Sequence, residues 1–172
     1  MKQHTGMRPH DLVILCAILL QEEEDWYMKD LAHQLKLSQS EISESLHRSM
    51  QVGLIGPEKR RVQKLNLIEF IQHGLKYTFP AIPGTLERGI PTAISAEPLA
   101  NELNSSIEYV WPLPGGEMNG VSLLPLYSKL PKVCIEWKAL YRIVSLVDTL
   151  RMNQNAREIE VALDLLKQEL DI

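Results

Sequence analysis

Six polar side chains, Ser40, Ser43, Glu44, His47, Arg48 and Gln51, recur at spacings that place them on one side of a helix. Between them they offer hydroxyl, carboxylate, imidazole, guanidinium and amide groups, the donors and acceptors that hydrogen-bond to base edges. Ser38 and Gln39 stand just before them, and Lys59, Arg60 and Arg61 form an unbroken run of cations just after. The simplest chemistry of such a run is pairing with phosphate. No comparable set points to bond-making chemistry. His4, His10, His33, His47 and His73 include no i,i+4 pair, and none stands near Cys16 or Cys134 in sequence, so no metal site is expected. There is no phosphate-cradling glycine loop and no nucleophile elbow. Gly115-Gly116-Glu117 reads as a turn, and the carboxylates lie in charge runs of the solvated kind. Neither an enzyme nor a cofactor is expected.

The elements that would position the polar set can be read directly. Leu31, Ala32 and Leu35 form an apolar stripe that predicts a helix over 28–35. Lys36-Leu37-Ser38 makes a short turn, with Leu37 as its apolar plug. A second helix is predicted over 39–52, with Ile42, Leu46, Ser49 and Met50 on its inner face. Ser38 followed by Glu41 is a capping box, and Gly53 can take the left-handed conformation that ends a helix.

This stretch, DLAHQLKLSQSEISESLHRSMQVGLI, resembles the winged helix-turn-helix domains of MarR-like bacterial transcription regulators. The features that match are the acidic–alanine first helix (Asp30, Leu31, Ala32), the Leu-Ser turn, the serine-rich second helix and the Gly-Leu-Ile exit into a charged segment. The resemblance covers residues 10–64. It implies that the second helix lies in the major groove of double-stranded DNA, with Ser38, Gln39, Ser40, Ser43, Glu44, His47, Arg48 and Gln51 as candidate contacts. Lys59, Arg60 and Arg61 would meet the backbone from a wing. The sequence departs from the pattern after Gly56-Pro57. Val62, Leu65, Ile68, Phe70 and Ile71 have helical spacing, with Gly74 as the expected C-cap. The wing is therefore either truncated or replaced by a helix.

Charge is distributed in the same direction. The chain carries a formal net charge of −4. Residues 1–80 hold ten Lys/Arg and ten Asp/Glu, so the whole excess of acid falls in 81–172. The window 38–64 holds five basic and three acidic residues, which puts modest positive charge on the reading helix and the segment after it. Two cysteines far apart suit a reducing compartment and not a disulfide scaffold. The apolar run 12–20 is too short to span a bilayer and reads as a buried helix, started by Pro9 and stopped by the acidic cluster Glu22, Glu23, Glu24 and Asp25. No signal peptide is read at the start, and a cytoplasmic location with no membrane contact is expected.

Beyond residue 74 the pattern changes. Residues 75–79 alternate and predict a strand. Residues 80–98, with four prolines and two glycines, predict a long irregular crossover. Strands are predicted at 107–111 and 121–127 and together suggest a small hairpin, with 75–79 as a partner. A helix is expected from Pro131 to about Arg151, and a second over 156–170, where Ile159, Ala162, Leu163, Leu166 and Leu170 share a face. The expected fold is therefore mainly α with a small β component (α+β). A winged helix-turn-helix domain would occupy 1–74, and short strands with a helical pair would occupy 75–172. The pair could close its own core or form a homodimer. Arg88, Thr92, Tyr109 and Trp111 are candidate ligand or partner contacts. The function expected first is sequence-specific transcriptional regulation. The alternative is a protein-interaction adaptor, or antitoxin-like subunit, that uses the same fold without DNA.

Overall fold

In the computed structural model, which describes residues 6–21 and 25–172, the apolar run after Asp11 forms α1 (Pro9–Leu19). Every residue from Asp11 to Ile18 is buried, because α1 is apolar on all sides and can only be a central helix. No described helix is long and apolar enough to cross a membrane. Of the acidic cluster expected after α1, Glu22, Glu23 and Glu24 lie outside the described residues. Asp25 is exposed in a turn.

The two helices expected next are present as α2 (Met28–Leu35) and α3 (Gln39–Gln51). Between them Lys36 takes the left-handed conformation, with φ of 55°, which ends α2 and turns the chain. The Ser38 hydroxyl accepts from the Glu41 amide, and the Glu41 carboxylate accepts from the Ser38 amide. This is the reciprocal cap the sequence predicted. Leu31, Ala32 and Leu35 of α2 and Ile42, Ser45, Leu46 and Ser49 of α3 are buried, and α3 packs on both α1 and α2.

After α3 the chain makes a minimal hairpin. Ile55 and Val62 form a single antiparallel bridge. Gly56 donates to the Arg61 carbonyl at 2.9 Å and Gln63 to the Leu54 carbonyl at 2.9 Å. The tip is a turn in which the Lys59 amide donates to the Gly56 carbonyl at 2.8 Å. Where the resemblance would place a wing there is this one-bridge hairpin, and a helix follows it: α4 (Lys64–Glu69) begins two residues after Val62.

The strand expected at 75–79 is absent. The chain continues from α4 through a π-helical turn (Phe70–Gly74) into α5 (Leu75–Thr78). Leu67, Ile71 and Leu75 are all buried on one stripe, and that burial outweighs the local alternation. Gly74 is not a cap. It stays helical, and the Phe70 ring occupies the space where a β-carbon would stand, 2.8 Å from it.

The sheet also differs from expectation. The stretch expected to be irregular contains β1 (Leu86–Pro91), which takes the place assigned to 75–79 as partner of the other two strands. β2 (Tyr109–Pro112) and β3 (Met118–Ser122) do not form a hairpin, because they run parallel to each other. β1 is antiparallel to both, and the three strands close on one another as a small barrel. Two glycines make this closure possible. A β-carbon on Gly89 would lie 1.9 Å from the Trp111 carbonyl oxygen, and one on Gly116 would lie 2.4 Å from the Gly89 backbone.

A short helix, α6 (Leu99–Glu102), fills part of the connection from β1 to β2. The helix expected from Pro131 is two helices, α7 (Leu130–Glu136) and α8 (Lys138–Met152), broken at Trp137. In α8 everything from Ile143 to Arg151 is buried. The last helix, α9 (Ala156–Glu169), packs its Ala162, Leu163 and Leu166 against α8 and leaves Arg157, Glu160 and Asp164 exposed. The apolar faces of the helical pair are therefore spent within the chain. Buried residues from α1 through α9 form one continuous core.

Candidate nucleic-acid interface

Of the residues singled out on α3, Gln39, Ser40, Ser43, Glu44, His47 and Gln51 are exposed. They form the side of the helix turned away from α1 and α2. The Ser38 hydroxyl is committed to the cap: it donates to the Glu41 carboxylate at 2.7 Å as well as accepting from the Glu41 amide. Those same bonds, backbone first, lower the Glu41 pKa below its usual 4.5 and keep that acid ionised but occupied.

Arg48 corrects the expectation of an outward side chain. It is buried, and its Nε and Nη2 donate to the two oxygens of Asp11 at 2.8 and 2.7 Å. Asp11 has no solvent exposure and also accepts from the Arg8 amide at 2.8 Å. An ionised carboxylate inside an apolar helix requires a counter-charge, and the fork of Arg48 is the group that reaches it. Glu44 approaches Arg48 from the solvent side at 3.7 Å. His10 lies 3.4 Å from Arg48 Nη2 and 3.5 Å from Asp11 Oδ1. Burial, the largest cause, lowers the His10 pKa from its usual 6.5, against an opposing pull from Asp11. Arg48 thus fixes α3 to α1.

The hairpin stands at the C-terminal end of α3. Lys59 is partly exposed at its tip, and Arg60 and Arg61 are exposed beside it. Arg60 is held against Trp26. Its guanidinium carbon is 4.8 Å from the ring centroid, and Nη1 donates to the Trp26 carbonyl. The Trp26 indole returns a bond to the Arg60 carbonyl at 3.3 Å. This bracket braces a hairpin that has a single backbone bridge.

Of the four candidates in the C-terminal portion, Thr92, Tyr109 and Trp111 are buried, and Arg88 is exposed on β1. Trp111 and Thr92 have no exposure, and Tyr109 has 4%. The Trp111 indole and the Thr92 hydroxyl donate to one oxygen of Asp148, at 2.7 and 2.8 Å. The other Asp148 oxygen accepts from Arg151 at 2.6 Å. Arg151 in turn donates to the Phe79 carbonyl at 2.8 Å. The Tyr109 hydroxyl donates to Gln154 at 3.3 Å, and Arg88 donates to the Gly116 carbonyl. Thr92 and Trp111 tie the barrel to α8, Tyr109 reaches the segment that follows α8, and neither aromatic is exposed. Sequence reading missed the two acids at the centres of the networks, Asp11 and Asp148. The available signal was an acid inside an apolar stretch in each case.

Among the described residues, no three His, Cys, Asp or Glu side chains come together as metal ligands would. Cys16 is buried, and its thiol is pushed up to about 12 by burial, which suits inert core packing. Open clefts of about 560 and 570 Å³ lie beside α2 and beside α4, and Arg88 lines neither. No family model matches the chain, and neither a curated protein nor a solved structure matches it.

Proposed function

We propose that the chain is a sequence-specific, DNA-binding transcriptional regulator of the winged helix-turn-helix kind, acting as a homodimer. α3 enters the major groove, and the short hairpin meets the backbone through Lys59 and Arg61, with Arg60 bracing it on Trp26. The observation that carries this reading is the exposed face of α3. It presents Ser40, Ser43, His47 and Gln51, all hydrogen-bonding groups free of the core, and a run of cations stands at the end of the same helix. The acids on α3 detract less than their number suggests. Glu41 is spent on the cap, and Glu44 faces Arg48.

Base readout and backbone contact separate experimentally. Ser43→Ala with His47→Ala and Gln51→Ala is expected to erase the preference for a selected site while leaving weak, salt-sensitive binding to random duplex. A lost bidentate contact, of the kind an amide such as Gln51 makes with adenine, contributes roughly 1–3 kcal/mol of discrimination. Retained preference in this variant would remove α3 from the reading role.

A second reading is the protein-interaction adaptor. Ile82, Leu86 and Leu124 favour it: they are 75%, 78% and 78% exposed, and the segments that carry them are hydrogen-bonded neighbours through Gly84, Thr85 and Ser122. Single exposed apolar residues are ordinary, but a group of large ones points to protein contact. In the regulator reading this group is the homodimer surface, since α8 and α9 bury their apolar faces within the chain.

A further inference from the structure

The C-terminal half reaches the end of α3 that the hairpin does not. The Tyr127 hydroxyl donates to the Leu35 carbonyl at 2.9 Å. Lys129 Nζ donates to the Lys36 carbonyl at 2.9 Å, and Lys36 Nζ pairs with Glu136 at 2.7 Å. These contacts surround the turn between α2 and α3. Lys129 is the N-cap of α7 with helical backbone, so Lys129, Lys132 and Glu136 stand at i, i+3 and i+7 on one face. The first and last of them both meet Lys36, so Lys132, which lies between them, is on the face turned towards that turn. Lys129 and Lys132 are both exposed. Three lysines against Glu136 and the cap residue Glu41 leave this end of α3 with one net positive charge, of the same sign as the hairpin at the other end.

The length of α3 makes the two ends complementary to a duplex. Its thirteen residues span about 20 Å. The major groove is about 12 Å wide, so a helix lying across it brings its two ends to opposite sugar–phosphate strands. We propose that Lys129 and Lys132 form a second phosphate-binding edge, on the flank of α3 opposite the hairpin. The C-terminal half then holds the DNA strand that the hairpin does not reach. This inference rests on the DNA-binding reading and deepens it: the interface is built from both halves of the chain and not from the first third alone.

The test is the salt dependence of duplex binding by the full chain, followed by fluorescence anisotropy. Each phosphate contact contributes about 0.9 to the slope of log K against log salt. Lys129→Gln with Lys132→Gln is expected to lower the slope by about 1.8, and Lys132→Gln alone by about 0.9, with the sequence preference unchanged. The single variant keeps the Lys129–Lys36 contact, so it reads charge without disturbing the α7 anchor. Lys167→Gln on α9 serves as the control and is expected to leave the slope alone. A wild-type slope in both α7 variants, or an equal loss in the α9 variant, would overturn the second edge while leaving the DNA-binding reading in place. Failure of the unaltered chain to bind duplex would overturn both.

Discussion

Arg48 lies at the rim of the polar face of α3, where helical phase allows a long side chain to turn either way. What decides its direction is Asp11, thirty-seven residues earlier, whose carboxylate is fully buried and accepts from the Nε and Nη2 of the guanidinium. Phase is legible in sequence; a counter-charge brought close only by folding is not. Removing one member of a buried pair leaves the other uncompensated, at a cost of about 3–5 kcal/mol. Arg48→Ala is therefore expected to lose that much in urea unfolding, and Asp11→Leu with Arg48→Met to recover most of it. A loss below about 1 kcal/mol would place the pair in the class of solvated surface bridges. His10 gives the same cluster a pH signature. Its folded pKa is lowered, chiefly by burial, so the unfolded chain takes up a proton near 6.5 that the folded chain refuses. Stability then falls as pH drops below that value, because the unfolded state binds more protons. The melting temperature is expected to fall between pH 7 and pH 5, and to fall less in His10→Gln. Equal falls in both proteins would exclude His10 as the source.

The elements divide into those set by local signals and those set by distant ones. α2, the Lys36–Ser38 turn and α3 follow from the apolar spacing of Leu31, Leu35, Ile42 and Leu46 and from the Ser38–Glu41 cap, all within one short stretch. The barrel does not. Leu86–Pro91 carries a glycine and ends in a proline, both poor strand formers, and becomes a strand because β2 and β3 close on it from both sides. The alternation at 75–79 misleads for the converse reason, since Leu75 completes the buried stripe of Leu67 and Ile71. Gly89 is where the barrel is tightest. Gly89→Ala would push a methyl into the Trp111 carbonyl and is expected to cost about 3 kcal/mol or more, because backbone is what must move. An Ala variant as stable as the parent in a thermal melt would contradict the closed arrangement of the three strands.

At the scale of the whole molecule, the sequence pattern changes after residue 74, but the parts on either side of that point share one core. α1 touches α8 as well as α3, and α7 is tied to the α2–α3 turn through Tyr127 and Lys129. The exposed part of the candidate interface was largely legible: Gln39, Ser40, Ser43, Glu44, His47 and Gln51 lie where helical phase put them. Arg48, Thr92, Tyr109 and Trp111 were not, because their partners are distant in sequence and are brought close only by folding. The lysines of α7 were hidden for a related reason, since only the tertiary fold carries them to the end of α3. The central claim is that this surface holds DNA. The direct measurement is fluorescence anisotropy of the full chain with the duplex upstream of its own coding sequence, titrated against random competitor at two salt concentrations. The account predicts saturable binding that resists competitor and weakens as salt rises. No binding at low salt would contradict it, give α2 and α3 a structural role and turn the search to a protein partner.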